Sequence, residues 1–459
     1  MADRFSDPLH DDRDAEKIEM SSNVTGDGCD IDPVAERRLL RKFDWYLLPL
    51  FTILYCTSFI DKTSIGNAKI AGLEKDLHMA GFDFNIALTV FYIFYLASEI
   101  PSNLALKHFG SMWYSAMIIA FGAVSVGTAY VTSFAGLVVA RAALGIAEGC
   151  TLSGLVYLLS RSIESDIPES NARPSIPGII TIGIGLLCLW ILPSADLQRT
   201  RMLTEDERKL ALARLDADQS TATGGRKEKT SFRLVMRAFN FNTTLSSICF
   251  SLLNITFQGL SLFMPTVIAS LGHFTVVESQ LRTVPPYLVG SVWAVICGYL
   301  SYRLDHRAGF VLLSIVFMVI GYALAVGTKD PQARYAACFL SITGASNAGP
   351  MVMAWATGNA APDTVKAVTT ALIPSIGAFG SIIAVWTYLP TDAPDFHKGN
   401  SLNLATSILA CIIILVVVAH IRRENAKRAR GERNYRLEGK DAKELEELGD
   451  LHPAFRYHI

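Results

Sequence analysis

Apolar residues in this chain gather into long blocks separated by short polar links. The blocks fall at roughly 45–68, 84–106, 112–132, 136–160, 178–194, 246–270, 284–301, 309–328, 334–358, 365–388 and 402–421. A helix rising about 1.5 Å per residue needs about 20 such residues to cross the hydrocarbon of a bilayer. The pattern therefore predicts an all-α polytopic membrane protein with about eleven spans. It divides the chain into a polar tail (1–34), a first helical bundle (35–194), a central loop (195–245), a second bundle of six helices (246–421) and a closing tail (422–459).

Charge sets the expected orientation. Residues 1–34 are rich in Asp and Glu and poor in apolar residues, the composition of a disordered segment. Arg37, Arg38, Arg41 and Lys42 follow directly before the first span, which places the N-terminus in the cytoplasm by the positive-inside rule. The central loop opens with a capping-box pattern, Thr204-Glu205-Asp206-Glu207, ahead of a short amphipathic stretch. Past Gly224-Gly225 it carries Arg226, Lys227, Lys229, Arg233 and Arg237, so it too is expected in the cytoplasm. The last tail begins Arg422-Arg423 and is placed on the same side; its stretch Ala442 to Leu448 reads as a solvated surface helix. An odd number of spans conflicts with two cytoplasmic ends. The first half is the short one. Between Arg161 and Pro177 the chain carries Glu164, Asp166, Glu169 and Arg173 with two prolines, and no apolar run there approaches a span. The block at 178–194 is short and begins Pro177-Gly178, so it is expected to lie at the interface, leaving the central loop cytoplasmic.

Composition narrows the function. The chain is 51% hydrophobic and 18% charged, against about 25% charged for a soluble protein. A net charge of −1 offers no basic surface for nucleic acid. Of the eight cysteines, seven lie in apolar blocks and Cys29 in the polar tail, which is neither a disulfide nor a zinc framework. No cleavable leader is visible, and the first span can serve as the targeting signal. There is no nucleotide-binding loop, catalytic triad or metal-ligand cluster, so neither an enzyme nor a cofactor is expected.

The chemistry is concentrated in Arg141-Ala142-Ala143-Leu144-Gly145-Ile146-Ala147-Glu148. Residues seven apart return to nearly the same helix face, roughly 10 Å along the axis. Arg141 and Glu148 thus point one way, and charges within a span face a bundle interior or a watery cavity. Two readings follow: a structural ion pair with a snorkelling Arg, or a binding and coupling site for an anion.

Two helical halves joined by a cytoplasmic loop resemble the major facilitator superfamily. The segments Asp61 to Leu73 (DKTSIGNAKIAGL), Glu99-Ile100-Pro101-Ser102-Asn103, Gly259 to Thr266 (GLSLFMPT), Thr283-Val284-Pro285-Pro286-Tyr287 and Leu448 to Tyr457 resemble its fungal anion:cation symporters, the allantoate and nicotinate permease group. There are departures. The family's fifth helix is absent between Arg161 and Pro177. The link Lys107-His108-Phe109-Gly110 is poor in basic residues, Tyr302 stands where Asp is common, and Ala378 where Asn is frequent.

The resemblance implies roles. Lys62 and Arg141 supply positive partners for a carboxylate substrate, and Asp61 and Glu148 are carboxylates able to carry a coupling proton. The alternative for Asp61 and Lys62 is an exposed pair in the outer loop. Asn254 and Gln258, four apart on one face, and Asn347 and Trp355 lie on helices that line the family's cavity; they are candidate substrate contacts or helix-packing groups. Glu99 reads as a structural hydrogen-bond partner, and Pro101, Pro265 and Pro350 as kinks. The expected activity is proton-coupled uptake of a small organic anion by a monomeric transporter of the plasma membrane. The alternatives are a secondary-metabolite exporter, or a truncated form that no longer transports or acts as a sensor.

Overall fold

The structure is a computed structural model, and it describes residues 57–109, 111–149, 232–272, 274–304, 306–437 and 448–458. The spans expected before residue 57 and at 178–194, most of the central loop and the stretch between Arg161 and Pro177 lie outside these residues. So does the 442–447 part of the surface helix expected in the closing tail.

Every regular element among the described residues is helical. Helix α1 runs from residue 57 through a π-turn at Lys69–Leu73 to Glu74–Asp76. It extends past residue 68, where the apolar pattern stops, because Lys69 folds back over the Phe84 and Phe263 rings at 4.4 and 5.4 Å instead of ending the helix in solvent. Then come α2 (Asp83–Phe109), α3 (Ser111–Thr128) and α4 (Phe134–Glu148). The second half holds the short α5 (Phe232–Arg237), α6 (Phe241–Ser270), the short α7 (Val276–Leu281), α8 (Val284–Leu304), α9 (Arg307–Gly327), α10 (Pro331–Gly358), α11 (Asp363–Ala384) and α12 (His397–Ala429).

Local chemistry explains where these helices begin. Ser133 caps α4 by accepting from the Gly136 N–H, Asn240 caps α6 through Thr243, and Asp330 caps α10 through Ala333 ahead of Pro331 at the first turn. Pro101, Pro265 and Pro350 lie inside helices as expected, and Pro374 inside α11 is a fourth. By length and composition α6, α9, α12 and the stretch Val276–Ser301 are able to cross a membrane. The apolar window of α6 is 61% buried and that of Val276–Ser301 only 17%. α6 is therefore the central helix of its bundle, against α10, α11 and α12, while α8 turns its apolar face outward to lipid.

The first bundle and the second meet along two seams, α1 against α6 and α2 against α11. Described contacts gather at the end where α1 hands over to α2 and α11 to α12, here the distal end. Gly66 lies so close to the Leu262 carbonyl that no Cβ would fit. Phe59 stacks on Phe257 at 5.8 Å, the Asn85 amide donates to the Val385 carbonyl at 2.6 Å, and the Trp386 indole donates to Thr89 at 3.1 Å. At the opposite end, residues 448–458 fold back onto the second bundle.

Candidate functional site: a buried charge cluster in the first bundle

Ser58, Asp61 and Lys62 are three and four residues apart, so α1 presents them on one face. α4 presents Arg141 and Glu148 two turns apart, both buried. What brings the two helices' charges together is the close passage of α2 and α4. At Gly145 and Gly149 of the α4 segment, an added Cβ would run into the Phe91 and Tyr95 carbonyls and Ser98 of α2. Glycine at both positions lets the backbones touch, and Glu148 is carried in against α1.

There Lys62 Nζ lies 3.0 Å from Glu148 Oε1. The Ser58 hydroxyl donates to the same oxygen. Lys62 also stands 4.9 Å above the ring of Tyr95 on α2, which gives the ammonium a second favourable surface. Asp61 is 8% exposed and accepts a 2.6 Å hydrogen bond from Ser125 of α3. The reading of Asp61 and Lys62 as an exposed loop pair is thus replaced: α1 continues beyond them, and both face the bundle interior. Arg141 lies within electrostatic reach of Asp61, Glu148 and Tyr92. The Nε of Arg141 and the Oε2 of Glu148 are buried with no hydrogen-bond partner. Two acids and two bases lie together between α1 and α4, with hydrogen-bonding capacity left over on one of each.

Ser58, Ser125, Tyr92 and Tyr95 also belong to this cluster, and the reading of the sequence did not single them out. Ser58 had a findable signal, one turn before Asp61 on the same face; Ser125 sits on a helix without a charge and becomes relevant only when α3 is packed.

The polar candidates of the second bundle are placed differently. The Asn254 amide donates to the Gly377 carbonyl and to Ser381, tying α6 to α11 at 2.8 and 2.9 Å. Asn347 donates to Ser314 at 2.8 Å, tying α10 to α9. The Trp355 indole donates to the His458 carbonyl of the closing tail at 2.9 Å. Gln258, half-buried one turn after Asn254, has no described hydrogen bond. Glu99 is 2% exposed and lies in the α2–α11 seam. A groove lined by Phe274, Arg282, Asp330 and Tyr335 is remote from the charge cluster, at the distal end of the second bundle. No group of His, Cys, Asp and Glu among the described residues could hold a metal.

The comparisons agree with this architecture. The family model described as Major Facilitator Superfamily matches residues 51–168. An uncharacterised transporter of Schizosaccharomyces pombe is 27% identical over 88% of this chain and 88% of its own. The high-affinity nicotinic acid transporter of Saccharomyces cerevisiae is 29% identical over 92% of this chain and 85% of its own. Among solved structures, a bacterial homologue of the human lysosomal transporter Spinster, inward-facing and occupied, superposes with a TM-score of 0.53 at 13% identity, covering 82% of this chain and 97% of that one. The nucleoside transporter NupG, as its D323A mutant, gives 0.52 at 15% identity over 81% of this chain and 99% of that one. The chain is a multi-pass membrane transporter, not an enzyme; it is similar to the major facilitator superfamily in sequence and has that fold.

Proposed function

We propose that this protein is a proton-coupled importer of a small organic anion, a monocarboxylate of the size of nicotinate. The observation that carries the reading is the buried Lys62–Glu148 ion pair, with Arg141 and Asp61 beside it. A carboxylate entering a dry cleft needs a fixed cation, and a cation already matched to a carboxylate is free to take another only when the first is neutralised. Protonation of Glu148 releases Lys62, and Lys62 with Arg141 then receives the substrate carboxylate. Asp61, held by Ser125, is the second coupling carboxylate. Gln258, which has no described hydrogen bond, is kept as the second-bundle candidate for substrate contact, while the bonds of Asn254, Asn347 and Trp355 favour a packing role for them. The relative named for nicotinic acid transport supports the substrate class.

In this reading both tails and the central loop are cytoplasmic, in a monomer of the plasma membrane, and the closed distal end faces outward. The test is uptake by cells expressing the protein under an inward proton gradient. Nicotinate should be accumulated, and nicotinamide, the same ring without the charge, should not; equal uptake of both would sink the anion assignment.

A second reading rests on one observation in the sequence, the lack of an apolar run between Arg161 and Pro177. A bundle short of one helix leaves the α4 face without a neighbour, and this form then transports poorly or not at all. Inserting an apolar helix of about 20 residues at that link decides: restored uptake supports the truncated form, and equal uptake without the insertion removes it. Labelling a cysteine at Ser220 from outside intact cells would overturn the cytoplasmic placement of the loop.

A further inference from the structure

Glu99 is a carboxyl group that the reading above does not use. It sits sixteen residues into α2, beyond the hydrogen bonds of Asn85 and Thr89 that close the distal end of the seam. It is 2% exposed, and its Oε2 is buried with no hydrogen-bond partner. Ser375 of α11 faces it across the seam, and Lys62 of α1 acts on it from a distance.

Among the described residues the charges around it are few. Lys62 is committed at 3.0 Å to Glu148 and covered by Tyr95. Asp61 is bound to Ser125. From α4, Arg141 and Glu148 belong to the same cluster, and α3 carries no charged residue. On α11 the charged positions are Asp363 and Lys366, at its start and twelve and nine residues before Ser375. On α2 itself Asp83, Lys107 and His108 lie at the ends, and Tyr92 and Tyr95 line the cluster. No cation forms a salt bridge with Glu99 among the described residues. An ionised carboxylate in that setting would be buried without an ion-pair partner and with one oxygen unsolvated, which is strongly unfavourable. A neutral carboxylic acid is compatible with it: its O–H can donate to the Ser375 oxygen, whose own proton goes to the Ala371 carbonyl at 2.9 Å.

We propose that Glu99 is a further proton-binding site, located in the moving seam between the bundles. It holds its proton while α2 and α11 are closed and exchanges it with water when they part. Lys62 connects this site to the first one. When Glu148 takes a proton, Lys62 loses its close partner, and its field on Glu99 is no longer offset by the Glu148 charge. The two protonations are therefore linked through one ammonium. The proposal deepens the proton-coupled reading and rests on it only for the link to transport; the protonation of Glu99 stands or falls separately.

The test is infrared difference spectroscopy of the purified full chain in lipid. At neutral pH the parent should show a protonated-carboxyl stretching band that Glu99→Gln removes and Ser375→Ala shifts. The band should disappear on alkalinisation in the parent but persist when a bifunctional thiol crosslinker joins Thr89→Cys to Trp386→Cys and locks the distal seam. A Glu99→Gln spectrum that retains the band overturns the proposal. So does a band that titrates identically in free and locked protein, or one that titrates in neither. Should Glu99→Gln fail to fold, the Ser375→Ala shift and the effect of the lock, both measured with Glu99 in place, still decide. Absence of nicotinate uptake with the band behaving as stated would reject the substrate reading and leave Glu99 as a proton site.

Discussion

Two groups of buried charge occupy opposite kinds of place in this molecule. One is the cluster of α1 to α4; the other clamps residues 448–458 against the second bundle. In the clamp, Glu424 takes two hydrogen bonds from Arg433, at 2.8 and 2.6 Å. Arg428 donates to the carbonyls of Phe455 and Asp450 and stacks on Tyr457 at 4.4 Å. Asp450 is held by Arg237 at 2.7 Å, its own N–H bonding the Ala361 carbonyl. Asn425 with Tyr457, and Asn359 with His458, exchange hydrogen bonds both ways. The clamp backs its ion pairs with side chain-to-backbone bonds, and those backbone partners cannot be exchanged without unfolding the tail. The cluster joins side chain to side chain and leaves Arg141 Nε and Glu148 Oε2 without a hydrogen bond, whereas Arg428 Nε, also without one, lies 3.5 Å from Glu424 Oε1 inside the clamp. Multiply bonded charges make a fixture; charges with spare capacity in a dry site are where a ligand or proton changes the balance.

The contrast breaks most visibly at Arg141. Arg141→Ala should cut nicotinate uptake by about 3 kcal/mol of binding, roughly 100-fold, while the protein still reaches the membrane. Uptake kinetics at low substrate, alongside surface labelling, check this; a normal rate would mean that the arginine is merely structural.

Next in size is the loss of coupling. Glu148→Gln should keep substrate counterflow and lose pH-driven accumulation, and Asp61→Asn should behave alike. Parental accumulation by both variants would place coupling elsewhere.

In the clamp, the same kind of truncation should leave transport specificity alone and cost stability. Asp450→Ala should remove about 2 kcal/mol from the second bundle, seen as a lower melting temperature in detergent with KM unchanged.

A pH effect sharpens the comparison further. The bidentate bonds from Arg433 hold the Glu424 carboxyl below its ordinary value of 4.5. Its stabilisation is thus present above that value and lost as pH falls through the depressed value. Burial pushes Asp450 up, against the pull of Arg237. Its contribution has the opposite sign, gaining as pH falls. Acid should therefore release the tail, measured as proteolysis after Leu448. Asp450→Asn should make the release steeper by removing the opposing gain, and Glu424→Gln should leave only that gain, so that acid no longer releases the tail.

The smallest effect belongs to the neutral pairs. Asn347→Ala should cost about 1 kcal/mol of stability through the bond to Ser314 and leave substrate affinity intact. A raised KM with unchanged stability would return Asn347 to the substrate site.

Block lengths along the chain were enough for the helices among the described residues, because a span must satisfy its backbone internally and must be apolar for about 20 residues. Arg141 and Glu148 were legible for the same reason: helical periodicity puts residues seven apart on one face whatever else the chain does. Where α1 ends was not, since Lys69 is polar in the sequence and only the Phe84 and Phe263 rings of two other helices make it acceptable there. Nor were the partners. Asn254, Asn347 and Trp355 resemble cavity residues in one dimension, yet Ser381, Ser314 and the His458 carbonyl that occupy them come from distant parts of the chain. Ser125 and Ser375 gain meaning only opposite Asp61 and Glu99. A sequence carries periodicity, and periodicity determines which face a side chain takes. Which charge that face meets depends on how closely helices approach, and here glycines at 145 and 149 and the packing of α2 between α4 and α11 decided it.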